Sequence, residues 1–462
     1  MRRRKADLGH RVNSELRVEF TESGLTSYAG LELLIRYFRR IELNRLIRQH
    51  LAPAGLASDF AVTAMVRVIL GLLIVGGRRL RHVTYLVGDP LIQRFCGLAH
   101  LPGRLTLSRW LQQFTGKWIE RLCALNAAVV ARTLHGLTSL RTLTVDVDGT
   151  VLSTGMTVER AFRGFNPHHR KVPSYYPITA CVAETGHLLR IKNRSGNIND
   201  GKASIRFLRE LFAQIAATLG RAFRLRFRMD GDFFKEPVLR LLIARGAGYA
   251  IKVPFWQWLD LQRRIRECSK WHRVTGDVGC FEVRLPLTPW KLEVRVVIYR
   301  KRVHHRSAKN FQLDLFDPND GYYEYSAVAT NLDLSGRKLW HFMCGRGAHE
   351  KTLGELKSGL AFSTIPTRHY GANSAWQQFV TLAHNLITNF QIETGAPRRH
   401  RSAKSTALHV LKSIHTLRFE LFHRAGRVVR PDGVTILRMA RNESTQRLFL
   451  RIAGCLGGAR AA

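Results

Sequence analysis

The chain lacks the cysteine patterns of zinc sites and disulfide-bonded proteins. Its seven cysteines are irregularly spaced, and no two of them form a C-x-x-C pair. An odd number of unpaired cysteines argues against a structural zinc site and against a disulfide framework. We therefore expect a protein of a reducing compartment, the cytoplasm.

Long apolar runs are also missing. The longest, from Val68 to Gly77, is about half as long as a membrane-spanning helix must be. The basic start MRRRKADLGH is followed by no apolar segment of the kind that a secretory signal peptide needs. The sequence predicts a buried helix at the apolar run and no membrane partner.

Acidic residues are scarce relative to basic ones. Asp and Glu total 34, whereas Lys and Arg total 73, which gives a formal net charge of +39 at pH 7. The excess is spread along the chain rather than confined to a tail. Such a protein binds polyanions, and nucleic acid is the leading candidate, with an anionic membrane surface as the alternative. The apolar fraction of 45% excludes a mostly disordered chain.

The patterning changes several times along the 462 residues, which are too many for one ordinary core. Apolar residues at spacings of three and four predict a helical DNA-binding domain at 1–138. Alternating patterns and helices then predict a mixed sheet covered by helices at 139–254, interrupted by a β-rich insertion at 255–338. Helices at 339–395 complete the core, and 396–462 form a basic C-terminal region.

One short helix in the first region is a candidate DNA-binding element. The stretch RLTLSRWLQQF predicts a helix that carries Arg109 and Trp110, with Thr106 or Ser108 as its N-cap. A helix-turn-helix that presents Arg109 to DNA and an ordinary bundle with a basic surface fit this pattern about equally well.

Three separated acidic positions are the most informative feature. Asp148 in TVDVDGT and Asp230 in RFRMDGDFF end predicted strands, and Glu350 lies in GRGAHEKTLGELK. Oxygen ligands that folding brings together are what Mg²⁺ prefers. Each aspartate alone also fits a turn, but three together with a basic helix favour a metal site. Asp146 and Asp232 are the reserve ligands.

The glutamate motif carries two cations at helical spacing. Glu350 follows Arg346 by four positions, and Lys357 follows Arg346 by eleven. At about 100° per residue, these offsets return to within roughly 40° of one helix face. A carboxylate between two cations suits a metal site that handles a polyphosphate backbone. A weak surface ion-pair network is the alternative.

A P-loop is the main competing motif. Residues 196–202 read G-x-x-x-x-G-K, but Ala203 stands where a P-loop has the serine or threonine that binds Mg²⁺. The pair His168-His169 has no third ligand at a recognisable spacing, so we assign it to a basic surface loop. Neither stretch predicts a separate nucleotide or metal site.

These motifs together resemble those of DDE transposases of bacterial insertion sequences, in the branch with a β-rich insertion before the catalytic Glu. The last motif of that family is Tyr, two residues, Arg, three residues, Glu, six residues, Lys, and Met343 replaces its tyrosine here. The matching positions are Asp148-Gly149-Thr150, Arg228-Met229-Asp230 with Phe233, Arg346, Glu350, Lys357, Asn373, Trp376 and Asn385.

The resemblance implies an α/β fold: an RNase H-like mixed sheet with flanking helices, an inserted β-rich subdomain and an N-terminal all-helical domain. It implies that Asp148, Asp230 and Glu350 hold two Mg²⁺ ions, with Mn²⁺ as a substitute. The implied reaction is cleavage of DNA at element ends and strand transfer into target DNA.

The resemblance also implies partners and further contacts. The partner would be double-stranded DNA, bound by a homodimer in the bacterial nucleoid. An RNase H-like nuclease without strand transfer and an inactive DNA-binding relic are the alternatives. The residues expected at the DNA are Arg346, Lys357, Arg109 and Arg228, with Trp256, Trp258 and Trp290 as candidates for stacking on an unpaired base or for core packing.

Overall fold

The structure is a computed structural model that describes residues 18–56, 58–155, 157–164, 171–198, 200–303, 320–395, 397 and 406–457. The histidine pair at 168–169 and most of the basic linker after residue 396 lie outside the described residues. No helix in the described part of the chain is long and apolar enough to cross a membrane.

The helices follow the predicted order from the N-terminal region to the C-terminal region. They are α1 (Leu31–Arg40), α2 (Leu43–Leu51), α3 (Val62–Ile74), α4 (Pro90–Cys96), α5 (Arg104–Gln112), α6 (Gly116–Gly136), α7 (Asp200–Leu219), α8 (Glu236–Ala244), α9 (Leu261–Glu267), α10 (Gly336–Cys344), α11 (Gly347–Gly359), α12 (Tyr370–Thr394), α13 (Ile414–Leu417) and α14 (Glu443–Cys455).

The strands concentrate in the middle of the chain, as the alternating pattern predicts. They are β1 (Leu25–Thr26), β2 (Thr142–Gly149), β3 (Leu152–Ser153), β4 (Ser174–Tyr175), β5 (Ile178–Val182), β6 (Leu188–Lys192), β7 (Arg224–Met229), β8 (Gly248–Lys252), β9 (His272–Arg273), β10 (Val278–Leu287), β11 (Leu292–Arg302), β12 (Tyr323–Thr330), β13 (Gly426–Val429) and β14 (Ile436–Met439).

The central sheet has the strand order β6-β5-β2-β7-β8-β12-β11-β10-β9. Strands β2, β7 and β8 are parallel, whereas β5 and β6 run antiparallel to their neighbours. This is the RNase H-like mixed sheet expected from the sequence, and the predicted fold class is confirmed. Because β12 pairs with β8, the β-rich insertion continues the same sheet instead of forming a separate one.

The carboxyl ends of β2 and β7 meet at one edge of the sheet. The two strands pair in parallel, with Asp146 opposite Arg228. Residues that follow the paired segments therefore emerge side by side. This edge brings Asp148 and Asp230 together, although 82 positions separate them in the chain.

One local prediction in the helical region needs correction. The N-cap of α5 is Gly103, whose extended backbone leads into Arg104, so Thr106 and Ser108 lie inside the helix. Helices α1 and α2 are separate because Glu42, which lies between them, takes a left-handed backbone conformation with φ of 52°. The predicted buried helix is correct, since α3 is almost entirely buried.

The N-terminal helices share a core with the rest of the molecule. Helix α12 is buried along most of its length, and its Trp376 donates through Nε1 to the Ala361 carbonyl at 3.0 Å. One apolar cluster includes side chains of α1, α3 and α6 together with α12 and the C-terminal region. Strand β1 also pairs with β13. The segments on either side of residues 138 and 396 pack together. The domain boundaries at these two positions therefore stay predictions from the sequence.

A buried arginine joins three of these segments. Arg418 donates to the carbonyls of Leu73 and Ile74 at the end of α3, and to that of Gly359 at the end of α11, at 2.7–2.8 Å. Cations stabilise the carbonyl ends of helices. Burial lowers the pKa of Arg418 to about 10, so the side chain stays charged at neutral pH. The C-terminal region thereby fixes the end of the glutamate helix.

The hairpin between β5 and β6 is anchored to α12 by a buried histidine. His187 Nε2 donates to Asn389 Oδ1 at 2.5 Å, and its Nδ1 lies 2.8 Å from Thr185 Oγ1. Asn385 adds two hydrogen bonds to the backbone of Leu188. Burial lowers the pKa of His187 to about 3, so the imidazole is neutral in the folded protein.

We predict that acid destabilises the protein partly through His187. The unfolded histidine titrates near its ordinary pKa of about 6.5, above its folded value of about 3. The contribution of His187 to the free energy of unfolding is complete above pH 6.5. It falls by about 1.4 kcal/mol per pH unit between the unfolded pKa and the folded pKa. The His187→Gln variant should show a shallower fall in unfolding free energy between pH 6 and 4. Urea denaturation measures this, and parallel curves for the two proteins would refute it.

Candidate active site

The site begins with two carboxylates at the carboxyl edge of the sheet. Asp148 is the penultimate residue of β2, and Asp230 follows β7 directly. Asp230 has an extended backbone, and its side chain accepts a hydrogen bond from the Asp232 amide at 3.2 Å. Both carboxylates are mostly buried, with side-chain exposures of 14% and 30%. Like charges this close require a cation.

Arg346 supplies that cation. Its Nη2 atom lies 2.7 Å from Asp148 Oδ2 and 3.4 Å from Asp230 Oδ2. Burial alone would lower the pKa of Arg346, but the charges of Asp148 and Asp230 outweigh it, and the net pKa is raised. Since both oxygens contact one nitrogen, the two aspartates are neighbours.

Glu350 and Lys357 lie on the helix that Arg346 introduces. Arg346 is the N-cap of α11, and Glu350 is exposed in the first turn. The charge of Glu350 also helps to raise the pKa of Arg346. Lys357 is partly buried, which lowers its pKa, and the charge of Asp148 opposes that shift. The alternative of a surface network is wrong for Arg346, which contacts the aspartates. The roles of Glu350 and Lys357 stay predictions.

Convergence of the three carboxylates is incomplete in this arrangement. Among the described residues, no group of three or more His, Cys, Asp or Glu side chains is close enough to hold a metal ion. The Arg346 guanidinium lies between the two aspartates, where oxygen ligands would meet a cation. The donor chemistry fits Mg²⁺, but ligation needs Arg346 to move and Glu350 to approach.

Asp146 and Arg228 form a buried pair beneath the site. The Arg228 guanidinium donates to both oxygens of Asp146, at 2.5 and 2.7 Å, and both residues are 0% exposed. The prediction that Arg228 contacts DNA is therefore wrong, because no phosphate reaches it. Asp146 is likewise excluded as a reserve ligand, since its oxygens are occupied. The signal was present in the sequence: each residue lies two positions before a motif aspartate, on neighbouring strands.

Arg228 also reaches the helices that carry the glutamate motif. Its Nη1 atom donates to the Phe342 carbonyl at 2.6 Å and to Thr406 Oγ1 at 3.2 Å. Phe342 belongs to α10, whose end leads directly into α11. The buried arginine thus joins strands β2 and β7 to the helix pair α10 and α11, and Thr406 brings the C-terminal region to the same point.

His349 is a site residue that sequence reasoning missed. Thr179 Oγ1 donates to the Asp148 carbonyl at 3.0 Å, and His349 Nε2 lies 2.9 Å from the same hydroxyl. Since the threonine proton is used, His349 donates through Nε2. Burial, followed by the charges of Arg346 and Arg228, lowers its pKa to about 3. Its place beside Glu350 was the only sequence signal. It links the start of α11 to β2.

The three tryptophans predicted near DNA form one cluster. Trp256, Trp258 and Trp290 have ring centroids 5.4–6.3 Å apart. Phe234, four positions after Asp230, contacts Trp256 and Trp290. Trp258 is 43% exposed, whereas the other two tryptophans are partly buried. Packing against one another therefore accounts for Trp256 and Trp290, and stacking of Trp258 on a base stays a prediction.

The remaining predicted residues lie around the site or apart from it. Asp232 is partly buried, and Asp230 is the member of its pair that contacts Arg346. Met343, at the family's tyrosine position, lines a cavity of about 250 Å³ together with Arg346 and Glu350. Arg109 is exposed on α5, whereas its neighbour Trp110 is core. Neither the helix-turn-helix nor the bundle interpretation of α5 is decided by these positions.

Comparison with known proteins gives one family. Residues 9–460 match the family described as Transposase DDE domain group 1. A solved structure, the cryo-EM structure of the piggyBac transposase synaptic complex with hairpin DNA, is 12% identical in sequence, with a TM-score of 0.43. That match covers 87% of this chain and 83% of the other. No curated protein sequence gives a significant match.

We predict that Arg228→Met strongly destabilises the fold. The change leaves the Asp146 carboxylate buried without its counter-ion, which costs about 3 to 5 kcal/mol. The control is Arg447→Met, which removes an arginine that pairs with Glu443 on the surface of α14 and should change little. Urea denaturation measures both free energies. Equal, small effects would show that the buried pair is not needed.

Proposed function

The chain belongs to the DDE transposase family, Transposase DDE domain group 1, and we propose that it cleaves DNA at the ends of a mobile element and transfers those ends into target DNA. The observation that carries the proposal is the meeting of Asp148 and Asp230 at one sheet edge, with the glutamate helix beside them. This is where the two aspartate motifs and the Arg-Glu-Lys motif of the family coincide in space.

Asp148, Asp230 and Glu350 are the proposed ligands of two Mg²⁺ ions, which Mn²⁺ would replace. When bound, such ions lower the pKa of the attacking water or 3′-hydroxyl and stabilise the leaving oxygen of an in-line displacement. The contact of both aspartates with one guanidinium supports this assignment, because it indicates that the pair favours a cation between its oxygens. Asp146 is held by Arg228 and takes no part.

Arg346 and Lys357 are the proposed phosphate-binding residues. The planar guanidinium of Arg346 can hold two phosphate oxygens at once, and Lys357 supplies a point charge near Asp148. For this task Arg346 releases the aspartates and turns to the scissile phosphate. His349 and Thr179 act as positioning residues, since they hold the first turn of α11 against the strand that carries Asp148. No covalent protein intermediate is required.

Duplex DNA, as element ends and as target, is the proposed partner, bound by a homodimer in the bacterial nucleoid. The net charge of +39 supports a polyanionic partner. A nuclease that only hydrolyses is the rival function, because the same carboxylates would serve it. The distinction lies in the second step, in which the freed 3′-hydroxyl attacks another DNA molecule.

We predict that Asp230→Asn abolishes cleavage and leaves DNA binding intact. The substrate is labelled duplex DNA that spans each flank of the reading frame, incubated with Mg²⁺ or Mn²⁺. Calcium or EDTA should stop cleavage by the wild type, because Ca²⁺ has more ligands at longer distances. Asp232→Asn is the matched control and should cleave.

Joined products on a plasmid distinguish strand transfer from hydrolysis in the same assay. Cleavage without joined products would favour the nuclease. Full cleavage by Asp230→Asn would remove that residue from the site. Absence of cleavage by the wild type at either flank, with Mg²⁺ and with Mn²⁺, would favour a binding protein that has lost activity.

We predict opposite effects of Arg346→Gln on metal binding and on cleavage. Without the guanidinium, two adjacent carboxylates lack a counter-ion, so Mn²⁺ should bind the DNA-free variant on the order of tenfold more tightly. Single-turnover cleavage should slow by about tenfold or more, because the phosphate loses an orienting contact. Titration calorimetry and cleavage are measured on the same protein.

Lys351→Gln is the control, since Lys351 is exposed on the same helix and its loss removes an equal charge. It should alter neither quantity. Unchanged Mn²⁺ affinity in Arg346→Gln would show that the guanidinium does not compete with metal.

A further inference from the structure

A basic cleft lies between the N-terminal helices and the catalytic core. Its volume is about 590 Å³, and none of the described residues that line it is acidic. We infer that this cleft binds the phosphate backbone of the DNA that flanks the scissile phosphate. The inference rests on the proposed function for its substrate. The residues that carry the argument are Arg79, Arg81, Arg104, Ser153, Thr154 and Ser363.

Four separate parts of the chain converge on the cleft. Arg79 and Arg81 lie between α3 and α4, and Arg104 is the first residue of α5. Ser153 belongs to β3, and Ser363 follows α11. The arginines supply N–H donors to the cleft, whereas the Thr154 and Ser363 hydroxyls already donate to the carbonyls of Pro173 and Lys357. Such donors contact phosphate oxygens in protein–DNA complexes.

The three arginines have no counter-ion among the residues that the structure describes. All are exposed, and within the described part of the chain none of them takes part in an ion pair or a side-chain hydrogen bond. Elsewhere many arginines are paired, as Arg190 is with Glu120 and Glu210. The local positive potential also helps burial to lower the pKa of His82, through Arg81 and Arg79. Three unpaired cations in one cleft repel one another until an anion neutralises them.

Hydrogen bonds to the backbone of Lys357 link the cleft to the candidate active site. The Lys357 carbonyl accepts hydrogen bonds from Arg78 Nη2 at 3.1 Å and from Ser363 Oγ at 3.4 Å. Lys357 itself lies near enough to Asp148 for that charge to affect its pKa. The residues that approach the scissile phosphate and those that line the cleft therefore share one hydrogen-bonded segment.

The chain sets an upper limit on the distance between them. Ser153 follows Asp148 by five residues, which span at most about 17 Å when extended. Successive phosphates of one DNA strand advance by about 3.4 Å along the axis. The side of the cleft formed by Ser153 therefore lies within about five nucleotides of the bond that would be cut. Backbone contacts carry no sequence information, so they would serve any DNA sequence.

The first test measures the salt dependence of DNA binding. A fluorescein-labelled duplex is titrated in EDTA at increasing NaCl, and its anisotropy is followed. Each lost phosphate contact should make the slope of log affinity against log salt shallower by about 0.9. The double variant Arg81→Gln/Arg104→Gln should therefore lose about 2 from the slope.

The matched control removes the same charge at the opposite edge of the sheet. Arg141 and Arg221 are exposed and precede β2 and β7, whereas the site lies at the other end of these strands. Arg141→Gln/Arg221→Gln should keep the wild-type slope. An equal loss of slope in both double variants would mean that only net charge matters, and would overturn the assignment of the cleft.

The second test uses the wild-type protein and cannot be confused with misfolding. Phenylglyoxal modifies exposed arginines, and peptide mass spectrometry measures the extent at each position. Duplex DNA should protect Arg79, Arg81 and Arg104 and leave Arg221 reactive. Equal modification with and without DNA would overturn the proposal, and so would protection by inorganic phosphate alone.

The two proposals fail in different ways. DNA binding in EDTA does not depend on metal or on cleavage. DNA could protect the cleft arginines, and the double variant could show a shallower salt slope than the wild type, while no cleavage occurs with Mg²⁺. In that case the catalytic proposal fails and the assignment of the cleft stands. The wild type could instead cleave DNA while the double variant keeps the wild-type slope and DNA leaves the arginines unprotected. In that case only the cleft assignment fails.

Discussion

The like charge of Asp148 and Asp230 is the constraint on which this site depends. Parallel pairing of β2 and β7 brings the two carboxylates to one edge, where they are mostly buried. Two adjacent anions are unstable there without a cation. Arg346 satisfies this need, and in doing so fixes where α11 starts. The position of Glu350 and Lys357 follows from that contact, because both lie on the same helix.

A second arginine, Arg228, lies buried beneath the site that Arg346 occupies. Arg228 holds Asp146 and the end of α10, so the strands and the glutamate helix are joined through a pair that is fully buried. His349 and Thr179 make a parallel link between α11 and the Asp148 backbone. The two arginines differ in what they allow: Arg228 has no route to solvent, whereas Arg346 lies at the edge of the sheet beside a cavity. The proposed metal and phosphate contacts require a residue of the second kind, which can change its partners.

Patterns with a local physical cause were predictable from the sequence. Alternation predicted the strands, and the acidic residues at their ends predicted the edge at which Asp148 and Asp230 meet, since parallel strands share an edge. Interactions between distant segments were not predictable. The burial of Arg228 depends on the register of β7 against β2, which places it opposite Asp146, so the sequence alone suggested a DNA contact. The role of His349 depends on Thr179, which is 170 positions away in the chain. The predicted N-cap of α5 was wrong because the true N-cap, Gly103, has no side chain that could mark it in the sequence.

Two kinds of arginine are separated in this protein, those buried with partners and those exposed in the basic cleft. Buried arginines such as Arg228 and Arg418 meet carboxylates or helix carbonyls, so the fold neutralises them internally. Among the described residues, the arginines of the basic cleft have no such partners, although Arg79 and Arg81 follow the end of α3 that Arg418 holds. A net charge of +39 opposes the compact state by self-repulsion. Bound phosphates would remove that repulsion where it is concentrated, so polyanion binding should stabilise the contact between the N-terminal helices and the central sheet.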